Sequence, residues 1–172
     1  MQTRAWYDSG EMRLPDLDPR IGNNFIDANV LDRTSGPEDA AVDRILQLHD
    51  DEAFTLLLPH SVKTEIAHPH TPAQVKNRAA HMIYSMPVEL TASELATHDD
   101  IRAMIQGNAK PGRHDRDAFH LVESSKYGRI FITNDGRLLK KSAEIWQMLQ
   151  LRVVKPSEFL AAYEAHAETR WR

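Results

Sequence analysis

The segment NNFIDANVLDR, residues 23–33, places an acidic residue directly after a short apolar run. Phe25 and Ile26 have the character of the end of a buried strand, and Asp27 follows them at once. An ionised carboxylate beside buried apolar side chains is costly unless something compensates its charge. Two interpretations are open: Asp27 caps a turn at the edge of a core, or it holds a cation there.

A second strand that ends in an acid lies near residue 131. Residues 129–135 read RIFITND, a β-branched and aromatic run that ends at Asp135. Apolar runs at 53–58 and 151–154 predict two further strands, and a short strand is expected at 88–90. Helical patterns lie between them: one opens at Gly36-Pro37 with apolar positions to Leu48, and others lie at 63–67 with Ser61 as N-cap, 74–85, 93–105, 113–126, 138–149 and 156–167. This alternation predicts an α/β fold, a three-layer α/β/α sandwich with a mainly parallel central sheet.

The length of 172 residues suits one domain, and 41% hydrophobic with 27% charged residues is an ordinary globular composition. We interpret residues 1–22, which are rich in proline and glycine, as an irregular arm, and residues 23–172 as a single domain. No apolar segment is long enough for a bilayer and the N-terminus does not resemble a signal peptide, so no membrane partner is expected. The lack of cysteine agrees with a reducing cytoplasm, which is the expected location.

Two further acids are expected at the same edge of the sheet as Asp27 and Asp135, because the carboxyl ends of parallel strands meet there. Glu65 lies one turn into the helix after the second strand, and Asp117 begins the apolar face of the helix before strand 129–133. Two carboxylates ~4 Å apart repel by about 4 kcal/mol at an effective dielectric of roughly 20, so protonation or a divalent cation must relieve the cluster. Oxygen ligands favour Mg²⁺ or Mn²⁺, and such an ion can activate water against a phosphodiester.

Each acid also has an ordinary structural explanation. Asp27 could cap the following turn, and Asp135 with the glycine after it is a good turn pair. Glu65 could be an exposed helical residue, and Asp115 or Asp117 could favour a helix N-terminus through the dipole. The ordered set of strand-Asp, helix-Glu, helix-Asp and strand-Asp is more informative than any one of its members.

Four segments resemble the PIN domain family: FIDANVL at 25–31, SVKTEI at 61–66, DRDAFHL at 115–121 and RIFITNDGRLL at 129–139. The resemblance implies an α/β/α sandwich and a Mg²⁺- or Mn²⁺-dependent ribonuclease, which in one branch is the VapC-like toxin of a toxin–antitoxin module. It implies an RNA substrate, a cognate antitoxin and a homodimer as partners. Carried over by position, the catalytic and metal-binding residues are Asp27, Glu65, Asp117 and Asp135.

Supporting residues are expected around these acids. Asn29 could hold the metal-binding loop or contact substrate, and Thr133 could hydrogen-bond a carboxylate or a water ligand, although turn and strand chemistry would also explain both. Asp115 competes with Asp117 for the third position, and Asp117 is preferred because the Asp-Ala-x-x-Leu pattern matches there. Four basic side chains could contact phosphates or be ordinary surface charges: Lys63, Arg113, Arg116 and Arg137.

Two other functions are compatible with this pattern. A PIN-fold module without catalytic activity could bind RNA or protein, although the presence of all four acids speaks against it. FIDAN also resembles the first motif of haloacid-dehalogenase-like phosphatases, in which a strand-terminal Asp is the nucleophile. Those enzymes need a second Asp two residues later, where this chain has Asn29. The function that the resemblance to PIN domains implies, metal-dependent hydrolysis of RNA phosphodiester bonds, is the expected one.

Overall fold

A computed structural model describes residues 16–107, 110, 112 and 114–168 of the chain. Its strands form one sheet in the order β3-β2-β1-β4-β5, and each neighbouring pair is parallel. The strands are β1 (Asn23–Ile26), β2 (Thr55–Leu58), β3 (Ile83–Tyr84), β4 (Gly128–Ile132) and β5 (Arg152–Val154). The prediction of a parallel central sheet flanked by helices, as in a three-layer α/β/α sandwich, is confirmed.

Eight α-helices connect and cover the strands in the described part of the chain. They are α1 (Asp39–Asp50), α2 (Lys63–Ile66), α3 (Ala73–Ala79), α4 (Ala92–Gln106), α5 (Asp115–Tyr127), α6 (Gly136–Lys140), α7 (Ser142–Leu149) and α8 (Pro156–Glu168). Single turns of 3-10 helix lie at Ala28–Leu31 and His60–Val62, just after β1 and β2. Among the described residues, no helix has both the length and the apolar character needed to cross a membrane.

Apolar side chains cover both faces of the sheet, because successive residues of a strand point to opposite sides. Ile26 and Ile132 pack on the face covered by α1, α3 and α8. Phe25 and Phe131, their neighbours in β1 and β4, pack on the face covered by α4, α5 and α7. The sheet thus separates two apolar layers, which explains why its strands read as continuous hydrophobic runs.

Gly128 allows the close approach of β1 and β4. A Cβ at this position would lie 2.5 Å from the carbonyl oxygen of Asn23 and 2.8 Å from the ring of Phe25. The register of the two strands also shifts here, between Asn23 and Asn24. Glycine therefore fixes the pairing of the two central strands, whose opposite ends carry the candidate site.

The local structure differs from the predictions between residues 74 and 90. Helix α3 ends at Ala79 rather than at residue 85, and Ile83–Tyr84 forms the edge strand β3. Residues 88–90 have no regular secondary structure, so the strand predicted there is wrong.

The helix predicted over 138–149 is divided into α6 and α7 at Lys141, whose N–H bonds to the carbonyls of Leu138 and Leu139.

The described end of the predicted arm, residues 16–22, is irregular and lies against the domain. Leu17 packs against the apolar layer that includes Ile26. The side-chain amide of Asn24 donates a hydrogen bond of 2.7 Å to the carbonyl of Pro19. The first 15 residues of the arm lie outside the described residues.

Candidate active site

The carboxyl ends of β1 and β4 form the centre of the candidate site. The chain continues from β1 to β2 and β3 on one side of the sheet, whereas β4 leads to β5 on the other side. A crevice forms at such a switch point in open parallel sheets, outside the strand ends. Asp27 follows β1, and its backbone N–H extends the pairing with a 2.9 Å hydrogen bond to the carbonyl of Ile132. Thr133 and Asp135 follow β4 directly, so they lie at the same edge.

Asp27, Asn29 and Thr133 form a hydrogen-bonded group across the two strand ends. Oδ2 of Asp27 accepts from the Thr133 hydroxyl and from the Asn29 side-chain amide, each at 2.8 Å. The Asn29 amide also lies 3.2 Å from the Thr133 hydroxyl, and its Oδ1 accepts from the backbone N–H of Asn134 at 3.1 Å. Thr133 and Asn29 thus both hydrogen-bond the carboxylate of Asp27, which turn and strand chemistry would also explain, and their roles at a metal site or towards substrate stay predictions.

The surroundings of Asp27 disfavour its ionised form. The pKa of its carboxyl group is raised to about 7, mainly by burial and also by the negative charges of Asp117 and Glu65, although the hydrogen bonds from Thr133 and Asn29 oppose this shift. A cation would relieve the cost of the ionised form of Asp27.

Glu65 and Asp117 share this electrostatic environment. Burial raises the pKa of Glu65, the charge of Asp117 raises it too, and the nearby Arg116 opposes both effects. The imidazole Nε2 of His120, one helical turn after Asp117, lies 3.4 Å from Oε1 of Glu65. The charges of Asp117 and Glu65 thus act on Asp27, and the charge of Asp117 acts on Glu65, so three of the four predicted acids lie near one another.

Asp135 joins this group through Arg137. The guanidinium Nη2 of Arg137 lies 3.1 Å from Oδ2 of Asp117 and also contacts Oδ2 of Asp135. Oδ1 of Asp135 caps α6 by accepting the backbone N–H of Arg137 at 2.8 Å. The imidazole of His114 packs against the same guanidinium and lies 3.0 Å from Oδ2 of Asp117. The sequence left Arg137 as a phosphate contact or an ordinary surface charge, and in the structure its guanidinium bridges two of the predicted ligands.

Glu123 positions the turn that leads to Glu65, and sequence analysis missed it. Fully buried on α5, Glu123 accepts hydrogen bonds from the backbone N–H groups of His60 and Ser61 at 2.7 and 3.0 Å. It also accepts from the hydroxyl of Ser85 at 2.9 Å and from that of Ser61. The prediction of Ser61 as a helix N-cap is wrong, because its hydroxyl binds Glu123. Glu123 lies among the buried residues of α5, and an acid at such a position is the feature of the sequence that could have identified it.

The remaining predicted residues lie around the acids. Asp115 faces α4, where its Oδ1 is 3.5 Å from the guanidinium of Arg102, so Asp117 rather than Asp115 belongs to the cluster. The ammonium of Lys63 lies 4.9 Å from the ring centre of Tyr84, at the end of β3. Arg116 is exposed on α5. Arg113 lies outside the described residues.

The donor set fits a hard divalent cation, although the described side chains are not arranged around one. They include no group of three or more acids or histidines positioned to hold a metal ion. The available donors are nevertheless carboxylate oxygens, which Mg²⁺ and Mn²⁺ prefer. An ion at Asp117 or Asp135 would compete with the guanidinium of Arg137.

Comparisons with known proteins assign no family to the chain. A scan against protein-family models found no match, and a search of curated proteins found none. The resemblance to PIN domains therefore stays a prediction, and the functional interpretation depends on the geometry and chemistry described above.

Proposed function

We propose that this protein is a divalent-metal-dependent endoribonuclease that hydrolyses RNA phosphodiester bonds with Mg²⁺ or Mn²⁺. The proposal depends chiefly on one observation at the switch point of the sheet, where burial and the charges of Asp117 and Glu65 raise the pKa of Asp27. A dication would stabilise all three carboxylates at once. Asp27, Glu65 and Asp117 would hold it, and Asp135 would be the fourth ligand.

Within this proposal, the residues around the acids orient them. When bound, the ion would supply an activated water and stabilise the negative charge of the displacement at phosphorus. Thr133 and Asn29 hold Oδ2 of Asp27, and Glu123 holds the turn before Glu65. Arg116, exposed beside Glu65, would attract the RNA phosphates. Selection among RNAs would then depend on shape and on unpaired segments. A toxin role with an antitoxin partner, and homodimer formation, stay predictions.

The direct test is cleavage of a labelled RNA with Mg²⁺ or Mn²⁺. We expect cleavage that EDTA abolishes and that Asp27→Asn reduces by about 100-fold or more, a typical loss when a positioned charge is removed from a catalytic centre. The matched control is Asp115→Asn, because Asp115 lies two residues from Asp117 but faces Arg102. Undiminished cleavage by a folded Asp27→Asn protein would exclude this function.

A second candidate, a binding module without catalytic activity, is favoured by the bridge that Arg137 forms. Its guanidinium already compensates Asp117 and Asp135 without a metal ion. This alternative predicts that RNA binds without being cut and that calorimetry detects no binding of Mn²⁺. A phosphatase of the haloacid-dehalogenase type has no such support, because the residue two positions after Asp27 is an amide that donates to its carboxylate.

A further inference from the structure

The imidazole of His120 is buried, and its Nε2 faces Glu65 without a hydrogen-bond partner among the described residues. His120 is 4% exposed, and among the described residues its Nε2 is buried without a hydrogen bond. A buried polar atom without a partner is costly, so it calls for an explanation such as an absent ion or ligand. The residue follows Asp117 by one turn of α5, and the negative charge of Asp117 acts on it. This observation is independent of the clustering of the acids.

The distance between His120 and Glu65 is suitable for two ligands of one ion. Nε2 of His120 lies 3.4 Å from Oε1 of Glu65, and the pair does not have the geometry of a hydrogen bond. Two ligand atoms that are each about 2.1 Å from an octahedral ion lie roughly 3.0 Å apart at a right angle. One ion could therefore bind both atoms after they approach each other by about 0.4 Å.

We propose that Nε2 of His120 is a ligand of the ion held by Glu65 and Asp117, and that this mixed nitrogen–oxygen centre selects Mn²⁺ over Mg²⁺. The proposal rests on the proposed function for the presence of an ion at these acids. Mg²⁺ binds oxygen ligands and loses its water reluctantly, whereas imidazole favours transition ions. Nitrogen ligation would give the buried atom of His120 a partner and relieve the repulsion between the acids.

Neighbouring groups leave His120 available for this role. Glu123, the next acid on α5, is committed to backbone and hydroxyl donors of residues 60, 61 and 85. His114, the histidine before Asp117, packs against the guanidinium of Arg137 instead. His120 is thus the histidine that the fold directs to Glu65.

Pulsed electron paramagnetic resonance of the full chain loaded with Mn²⁺ tests this proposal directly. We expect a ¹⁴N coupling typical of a bound imidazole, which becomes a ¹⁵N coupling when the protein is labelled with ¹⁵N-histidine. The coupling should be lost in His120→Gln and retained in His81→Gln, a control at an exposed histidine. The preference for Mn²⁺ over Mg²⁺ in competition titrations should fall by about tenfold or more in His120→Gln only.

The wild-type spectrum decides the outcome even if His120→Gln fails to fold. Bound Mn²⁺ without a histidine nitrogen coupling would overturn the role of His120 and leave the ribonuclease proposal standing. A coupling that survives in folded His120→Gln would assign the nitrogen to another residue and would also overturn it. Failure of Mn²⁺ to bind the wild-type protein, combined with RNA cleavage that does not need metal, would overturn both proposals.

Discussion

The hydroxyl of Thr133 donates a 2.8 Å hydrogen bond to Oδ2 of Asp27 and joins the carboxyl ends of β1 and β4 across 106 positions of sequence. Thr133 is fully buried, and its hydroxyl oxygen also accepts the backbone N–H of Asp135 at 3.0 Å. A hydrogen bond to an ionised carboxylate lowers its pKa. The bond from Thr133 is the strongest influence that opposes the effect of burial on Asp27.

Replacing Thr133 by valine should raise the pKa of Asp27 above its wild-type value of about 7. Valine has a similar shape but cannot donate a hydrogen bond, so the ionised form of Asp27 loses stabilisation. The measurement is a pH titration of the Asp27 carboxyl carbon by NMR in metal-free buffer. Thr133→Ser keeps the hydroxyl and should leave the pKa near the wild-type value. A pKa that is unchanged or lower in Thr133→Val would contradict the role assigned to this bond.

Asp27→Asn should stabilise the metal-free protein at pH 8 but much less at pH 4. The folded-state pKa of Asp27, about 7, is above its value in the unfolded chain, so the native state holds an extra proton between these values. The wild-type free energy of unfolding therefore falls as pH rises through this window, and asparagine avoids that loss. We expect a gain of about 1–3 kcal/mol at pH 8, measured by urea unfolding in EDTA. Asp99→Asn, at an exposed residue of α4, should show no such pH dependence.

Arg137→Gln should strengthen Mn²⁺ binding to the wild-type set of acids by about three- to tenfold in calorimetry. The guanidinium of Arg137 bridges Asp117 and Asp135, and its removal leaves these carboxylates without their cation. The same change should lower metal-free stability by about 1 kcal/mol. Arg102→Gln removes the cation beside Asp115 and should leave Mn²⁺ affinity unchanged. Weaker Mn²⁺ binding in Arg137→Gln would show that the arginine supports the ion instead of competing with it.

Glu123→Gln should destabilise the fold by about 2–4 kcal/mol in urea unfolding. The buried carboxylate accepts hydrogen bonds from the backbone N–H groups of His60 and Ser61. In glutamine, the NH₂ group would replace one of the two acceptor oxygens and would face an N–H donor. Glu164→Gln, on the exposed side of α8, should change stability by less than about 0.5 kcal/mol. Equal stability of the two variants would exclude Glu123 as the group that holds this turn.

Gly128→Ala should cost about 2–4 kcal/mol of stability, because its new methyl group would collide with backbone and with Phe25. Gly136→Ala is the matched control. No atom lies within 4 Å of a Cβ at Gly136, and alanine is the better residue in α6. The free energy of unfolding of Gly136→Ala should be unchanged or slightly increased. A similar loss in both variants would show that space around Gly128 is not the limiting factor.

Most of the fold could be predicted from sequence because the central strands are buried on both faces. The runs that became β1, β2, β4 and β5 are apolar or β-branched, so their type was clear. The strand β3 was missed because it has only two residues and Ile83 is 64% exposed, which leaves no buried alternation to recognise. The break between α6 and α7 depends on the backbone at Lys141, and no proline or glycine indicates it.

Sequence could predict that acids would meet at this edge of the sheet, but it could not predict their partners, and the role of the acids in a site stays a prediction. Position after a strand or at a helix start was enough to select Asp27 and Asp117. The bridge formed by Arg137 depends on a side-chain conformation that sequence does not specify. Glu123 was missed because two of its partners are backbone N–H groups. Almost every residue has such a group, so these partners leave no pattern in the sequence.

Helix α5 carries Asp117, His120 and Glu123 at intervals of three residues, and this spacing limits how the chain can vary. Each residue of an α-helix turns by about 100° from the previous one. A deletion or insertion of one residue between Asp117 and Glu123 would rotate one end of this set away from the turn at His60. Homologous or engineered chains can therefore vary in length before or after α5, but hardly within these seven positions.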